Sequence, residues 1–171
     1  GKDHCGCRGG GPAEWNQHGR KPWREALDWL REELAKLYEN QAAIYLKEVW
    51  GARDNYIHVI LRRDSPAIEN FFFRFRQRYL SSEEVTTCLK FLEMQRYAML
   101  MYTSCGWFFT EISGIETVQI LQYAARAIQL AEEISGVSLE EEFLSRLSHA
   151  KSNIAQFRDG RGVYELLVKP T

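Results

Sequence analysis

The residues best equipped for chemistry crowd into one stretch, "LMYTSCGWFFTEISGIETVQIL", residues 100–121. Trp107 and Glu111 stand four apart, so one helical face could carry both. An indole plate beside a carboxylate suits a sugar ring: the plate takes the apolar C–H face and the acid takes hydroxyls. The same pair also suits a buried helix end. Glu111 and Glu116 are five apart, which sets them about 140° apart on a helix, and Gly114 lies between them. They do not form a pair on one face. Glu116 has a plainer duty as the partner of Ser113 in a capping box. Cys105 sits between Ser104 and Gly106 with no histidine nearby to act as base, so it reads as a small buried hydrophobe rather than a nucleophile.

A second cluster is "HCGC", with His4, Cys5 and Cys7. Metal sites generally take four ligands, so this set would need His18 and Cys105, with the N-terminal segment folded back. The usual C-x-x-C pairs are absent, and a packed arm is the stronger reading. No phosphate loop, dinucleotide fingerprint or H-E-x-x-H motif is present. "GCRGGG" has neither a preceding strand nor a suitable lysine. No cofactor is expected.

Arg62, Arg63, Arg74, Arg76 and Arg78 gather near Phe71, Phe72, Phe73 and Phe75. Arginines among aromatics can bind nucleic acid. Here 22 basic residues meet 23 acidic ones, for a formal charge of -1, so no nucleic acid or anionic membrane is expected. The arginines read as the solvated side of a helix whose other side is core. His58 and His149 are isolated within helical patterns. No apolar run approaches the ~18 residues of a membrane span. The first residues, "GKDHCGC", read as a cut end, without the pattern of a secretory signal. The four cysteines, Cys5, Cys7, Cys88 and Cys105, show no bridge framework, which favours a reducing, cytoplasmic setting.

These side chains need elements to hold them. Residues 1–21 hold many glycines and Pro12, with Trp15 and Asn16 among them, and are expected to form an irregular arm. Residues 22–171 form the expected helical domain. Pro22 suits a first turn. Trp23, Ala26, Leu27, Leu30, Leu34, Leu37, Tyr38 and Ile44 then recur at helical spacing, and the pattern runs on through Leu46, Val49 and Trp50 to a bend at Gly51. A helix to about Arg63 follows. Ser65 and Pro66 are expected to open the next one. Ser81 with Glu84, Ser113 with Glu116, and Ser138 with Glu141 form three capping boxes. Val85, Cys88, Leu89, Leu92, Met99 and Leu100 suggest a buried face, Gly136 a stop, and "GRGVYELLVKP" a last short helix. The expected fold is all-α, an antiparallel helical bundle of five or six helices with an irregular N-terminal arm.

"MYTSCGWFFTEISGIETVQILQYAARAIQLAEE" resembles a signature region of bacterial and archaeal proteins related to family 57 glycoside hydrolases, whose C-terminal region is named only as a domain of unknown function. The arm "DHCGCRGGGPAEWNQHGRKPWREALDWLREEL" and the tail "VYELLVKP" are similar to the same proteins, so the resemblance spans nearly the whole chain. It implies a helical region packed beside a distorted (β/α) barrel that acts on α-glucans with retention of configuration. Retention needs two carboxyl groups about 5 Å apart. The resemblance places that Glu and Asp on the barrel, outside these residues, so this chain alone is expected to be inactive. Cys105, Gly106, Trp107, Phe108 and Phe109 match the hallmark run. Glu111, Ser113, Gly114, Glu116 and Gln119 match the segment after it, and Cys5, Cys7, Trp15, Asn16 and Gln17 match the linker. One departure stands out: by the resemblance an aspartate usually stands where this chain has the uncharged Thr110.

The expected function is therefore an accessory helical domain that lines a substrate cleft with Trp107, Glu111, Cys105, Thr110, Glu116, Trp15 and Asn16. Its expected partners are the N-terminal barrel of the parent chain and an α-glucan, with a homo-oligomer left open. The competing readings are a structural or interaction module with no ligand of its own and, more remotely, a small zinc protein.

Overall fold

The computed structural model describes residues 13–62, 64–102, 115–149, 161, 164 and 165, with side chains from residue 22 onward except those of 57, 115 and 116. Within these residues the chain forms six helices: α1 (Ala13–Ala42), α2 (Val49–Arg62), α3 (Ser65–Phe75), α4 (Ser82–Leu100), α5 (Ile115–Ser135) and α6 (Glu140–Leu147). The all-α bundle is as expected.

Helix α1 is the spine. Trp23, Ala26, Leu27, Leu30, Leu34 and Tyr38 form its buried stripe. Each fully buried leucine contributes roughly 2 kcal/mol of transfer free energy, which is what holds a long helix against its neighbours. The helix opens at Ala13, so residues 13–21 are helical where an irregular arm is expected. Pro22 lies inside the helix rather than at its first turn. The ring removes one backbone donor. The burial of Trp23, Ala26 and Leu27 immediately after it favours continuing the helix.

The direction of the neighbours follows from which residues meet. Against α1, Tyr38 faces Phe91, Leu34 meets Gln95, and Asp28 meets Tyr102. The numbers fall in one helix as they rise in the other, so α1 and α4 are antiparallel. Lys90 with Glu133 and Tyr97 with Tyr123 show the same for α4 and α5. Tyr56 with Phe71 and Asn55 with Arg74 show it for α2 and α3. Helix α6 packs on α1, with Phe143, Leu144 and Leu147 buried.

The break between the first two helices falls at residues 43–48, before Gly51. Leu46 forms an isolated antiparallel bridge with Arg76. Lys47 N donates to Phe75 O at 2.7 Å, Gln77 N to Tyr45 O at 2.7 Å, and the Gln77 amide to Leu46 O at 3.2 Å. Carbonyls freed at the end of α1 are thus satisfied from the end of α3. Glu48 turns the corner with φ of 44°, and the Tyr38 hydroxyl donates to Val49 O. Gly51 sits inside α2, where an added Cβ would meet Phe75 at an ordinary 3.8 Å. Ile44, expected on the buried stripe, is left 59% exposed by this corner.

Caps sort in the same way. Ser81 and Glu84 form the full box at α4. Asp64, not Ser65, caps α3, accepting from Ala67 N at 2.8 Å, with Ser65 and Pro66 in the first turn. Gly136 ends α5 with φ of 76°, its N–H bonded to Glu132 O at 2.8 Å, as a left-handed C-terminal residue should be. The Ser138–Glu141 box does not form: the capping position falls to Leu139, which is buried and makes no side-chain cap. Anchoring Leu139 in the core sets the start of α6, and Ser138 stays exposed. On α4 the buried set is Cys88, Phe91, Leu92, Met94, Gln95 and Ala98, while Met99 turns outward.

Candidate functional site

Residues 103–114 join α4 to α5 and lie outside the described residues, and with them Cys105, Trp107, Thr110 and Glu111. His4, Cys5 and Cys7 lie outside as well. Trp15, Asn16 and His18 belong to α1, and Glu116 to α5, by backbone; their side chains are outside the described set, as is the Ser113–Glu116 box. The ends that hold this connection are described.

On the α4 side, Met101 is fully buried and Tyr102 half-buried. The Tyr102 hydroxyl donates to Asp28 Oδ1 at 2.6 Å, a charge-assisted bond across to α1. Arg31 lies over the Tyr102 ring, 4.7 Å from its centroid, and reaches Asp28 Oδ1 at 3.7 Å. Burial, reinforced by the bond to Asp28, raises the Tyr102 phenol well above its ordinary value. On the α5 side Thr117 is buried. The connection thus springs from two packed helix ends, one tied to α1 by a tyrosine, an aspartate and an arginine. Packed helix ends are the supports on which a connecting segment is held.

Just below the stems, Tyr97 on α4 and Tyr123 on α5 pair at 6.1 Å. Gln119 Nε2 donates to the Tyr123 hydroxyl at 2.9 Å, and Arg96 lies 4.6 Å over Tyr97. Asp28, Tyr97, Tyr102 and Tyr123 were not singled out from the sequence. Tyr102 adjoins the marked stretch, but Asp28 is a lone acid on an amphipathic helix, and only the packing of α1 on α4 reveals its partner. The buried Gln95 is likewise satisfied across that packing, its amide donating to Leu34 O at 3.2 Å.

The remaining polar features are of other kinds. Burial pushes the Cys88 thiol up to about 12, which makes it inert. Among the described residues no group of three or more His, Cys, Asp or Glu could hold a metal ion, and no helix is long and apolar enough to cross a membrane. Of the three aromatics preceding Arg74 on α3, Phe71 and Phe72 are core, as expected, but Phe73 is 76% exposed. A cleft of about 270 Å³ opens between α2 and α3, and a more apolar one of about 260 Å³ opens between α2 and α4 beside Tyr56, Leu92 and Arg96.

The chain belongs to the family described as domain of unknown function DUF3536, whose model it matches over residues 15–171. No curated protein and no solved structure matches it. The match ties the chain to that family and does not reach the glycoside hydrolases.

Proposed function

We propose that this DUF3536 chain is an accessory helical domain of a retaining, family 57-like α-glucan-active enzyme, and that the segment between α4 and α5 forms part of the wall of its substrate cleft. The observation that carries the reading is the pinned stem. Met101 and Thr117 anchor the two sides, and Tyr102 is tied to Asp28. A segment with three aromatics and one carboxylate, Glu111, is thereby carried on packed supports. In this reading Trp107 stacks on a sugar ring and Glu111 orients its hydroxyls. The catalytic carboxylates belong to a barrel partner.

The test is glucan binding and hydrolysis by the protein carrying the barrel, beside the present chain. Hydrolysis is expected only with the barrel. Trp107→Ala should weaken glucan binding roughly tenfold with an unchanged helical circular dichroism spectrum, as befits a lost stacking contact of about 1.4 kcal/mol. Unchanged binding with a lower melting temperature would place Trp107 in the core and refute the cleft-wall reading.

One observation favours the second reading, an interaction module. Phe73 and Tyr79 are 76% and 79% exposed, and the Arg76 guanidinium lies 5.7 Å from each ring. An aromatic surface of this sort suits packing against protein. If Phe73→Ser with Tyr79→Ser frees the domain from its barrel while Trp107→Ala leaves glucan binding intact, this second reading holds.

A further inference from the structure

The cleft between α2 and α3 has a composition that the proposed function does not use. Asn55, His58 and Arg62 contribute from α2, at spacings of three and four that keep them on one stripe. Asn70 and Arg74 contribute from α3, again four apart. Among the described residues no carboxylate lines the cleft, in a chain whose formal charge is -1. Val59, Phe71 and Phe75 form an apolar floor. Because the two helices are antiparallel, Arg62 lies at the end near their connection and Arg74 at the other, beside Asn55.

The two arginines differ in what already holds them. Arg62 lies 3.6 Å from Asp64, whose other oxygen caps α3. Arg74 is held by neutral groups: its guanidinium lies 4.8 Å over the Phe75 ring and donates to Asn55 Oδ1 at 3.4 Å. Among the described residues no carboxylate comes within ion-pairing distance of it. A planar fork, oriented on a ring and not neutralised, matches the geometry of an oxyanion. The His58 imidazole and the Asn70 amide add further donors along the cleft.

We propose that the α2–α3 cleft binds a small organic oxyanion, a phosphate ester or a carboxylate, with Arg74 as its anchor and the body of the molecule on the Phe71 floor. At about 270 Å³ the cleft has room for one ring with its charged group. Among the described residues the site shares none with the stem of the α4–α5 segment, so its test is separate from that of the glucan reading.

The experiment is a titration of the full chain with phenyl phosphate, benzoate and, as the uncharged comparison, benzyl alcohol, read by isothermal calorimetry and by amide NMR shifts. Phenyl phosphate or benzoate should saturate below about 10 mM, with shifts confined to α2 and α3. A tighter phenyl phosphate assigns a phosphate ester, and a tighter benzoate assigns a carboxylate. Arg74→Gln should weaken binding about tenfold, and Arg74→Lys should lose part of it by breaking the fork while keeping the charge. Should Arg74→Gln unfold, the exposed Arg62→Gln serves, with a loss of about threefold because Asp64 already shares that charge. Arg126→Gln, on α5, is the control and should bind as the parent does. No saturation by either anion, equal binding of benzyl alcohol, or equal loss in the Arg126 variant would overturn the proposal.

Discussion

Tyr102→Phe tests whether the α4–α5 segment is anchored as described. The substitution removes one hydroxyl, which donates to Asp28 Oδ1 at 2.6 Å. It keeps the ring that Arg31 covers at 4.7 Å. A hydrogen bond to a charged group is worth about 1.5–3 kcal/mol. Asp28 is 39% exposed at its side chain, so water can take the vacated acceptor and the low end applies, about 1–1.5 kcal/mol. For a chain of 171 residues this corresponds to a fall of roughly 2–6 °C in Tm.

A double-mutant cycle with Asp28→Ala isolates the pair. Urea unfolding of the four proteins should give a coupling of about 1 kcal/mol. The alkaline limb supplies a second reading. The folded phenol is raised above its ordinary value of about 10, so its contribution is fully present below that pH and is lost as pH rises toward the folded value. The parent should therefore lose stability above about pH 10 more steeply than Tyr102→Phe does, the buried Tyr38 and Tyr164 sloping alike in both. If Tyr102→Phe lies within about 0.3 kcal/mol of the parent, or the two substitutions simply add, the stem is not held by this bond.

Three further outcomes are expected. Gly136→Ala should cost about 1 kcal/mol by urea unfolding, because φ is 76° while nothing lies within 4 Å of the new Cβ, so the loss is backbone strain alone. No loss there would mean that the turn shifts freely. Ser81→Ala should cost about 1 kcal/mol and Ser138→Ala under about 0.5 kcal/mol, since one serine caps a helix and the other does not; equal costs would contradict the two cap geometries. Glu84→Gln should flatten the acid limb: the Arg78 guanidinium, then the Ser81 N–H, holds the Glu84 carboxyl down to about 2 from 4.5. Its stabilisation is present above about pH 4.5 and lost as pH falls toward about 2, so parent and variant should converge there. Parallel acid limbs would show that the pair contributes nothing.

What the residues disclosed, and what they hid, divides by range of interaction. The buried stripe of α1, the Ser81–Glu84 box and the Gly136 stop are each decided within one or two turns, and each reads directly from spacing. The corner at residues 43–48 is not. "AAIYL" continues both the helical composition and the apolar pattern, and nothing local ends it. What ends it is a backbone bridge to Arg76 and the Gln77 amide, 31 residues further along, which supply the donors that the end of α1 leaves wanting. Leu139 makes the same point in reverse: Ser138 offers a sound local cap, and burial of the next side chain overrides it.

The stem follows the same rule and explains why the chemistry of this chain is only half legible. Trp107 and Glu111 could be marked by type and spacing. The groups that would support them, Asp28 and Arg31, sit on the opposite helix and carry no mark of their own in the sequence. The arginines of the α2–α3 cleft illustrate it again. Read along the chain, Arg62 and Arg74 are two members of a basic run that solvates a helix. Folded, the antiparallel pairing of α2 with α3 sets them at the two ends of one cleft, with no carboxylate in its lining among the described residues. Arg74 then rests on an aromatic ring and an amide. A solvating charge gains little by being held in one orientation, because that ordering costs side-chain entropy for no partner. An arginine held on neutral groups at one end of a cleft with an apolar floor is poised for an anion in a way that Arg62, already beside Asp64, is not.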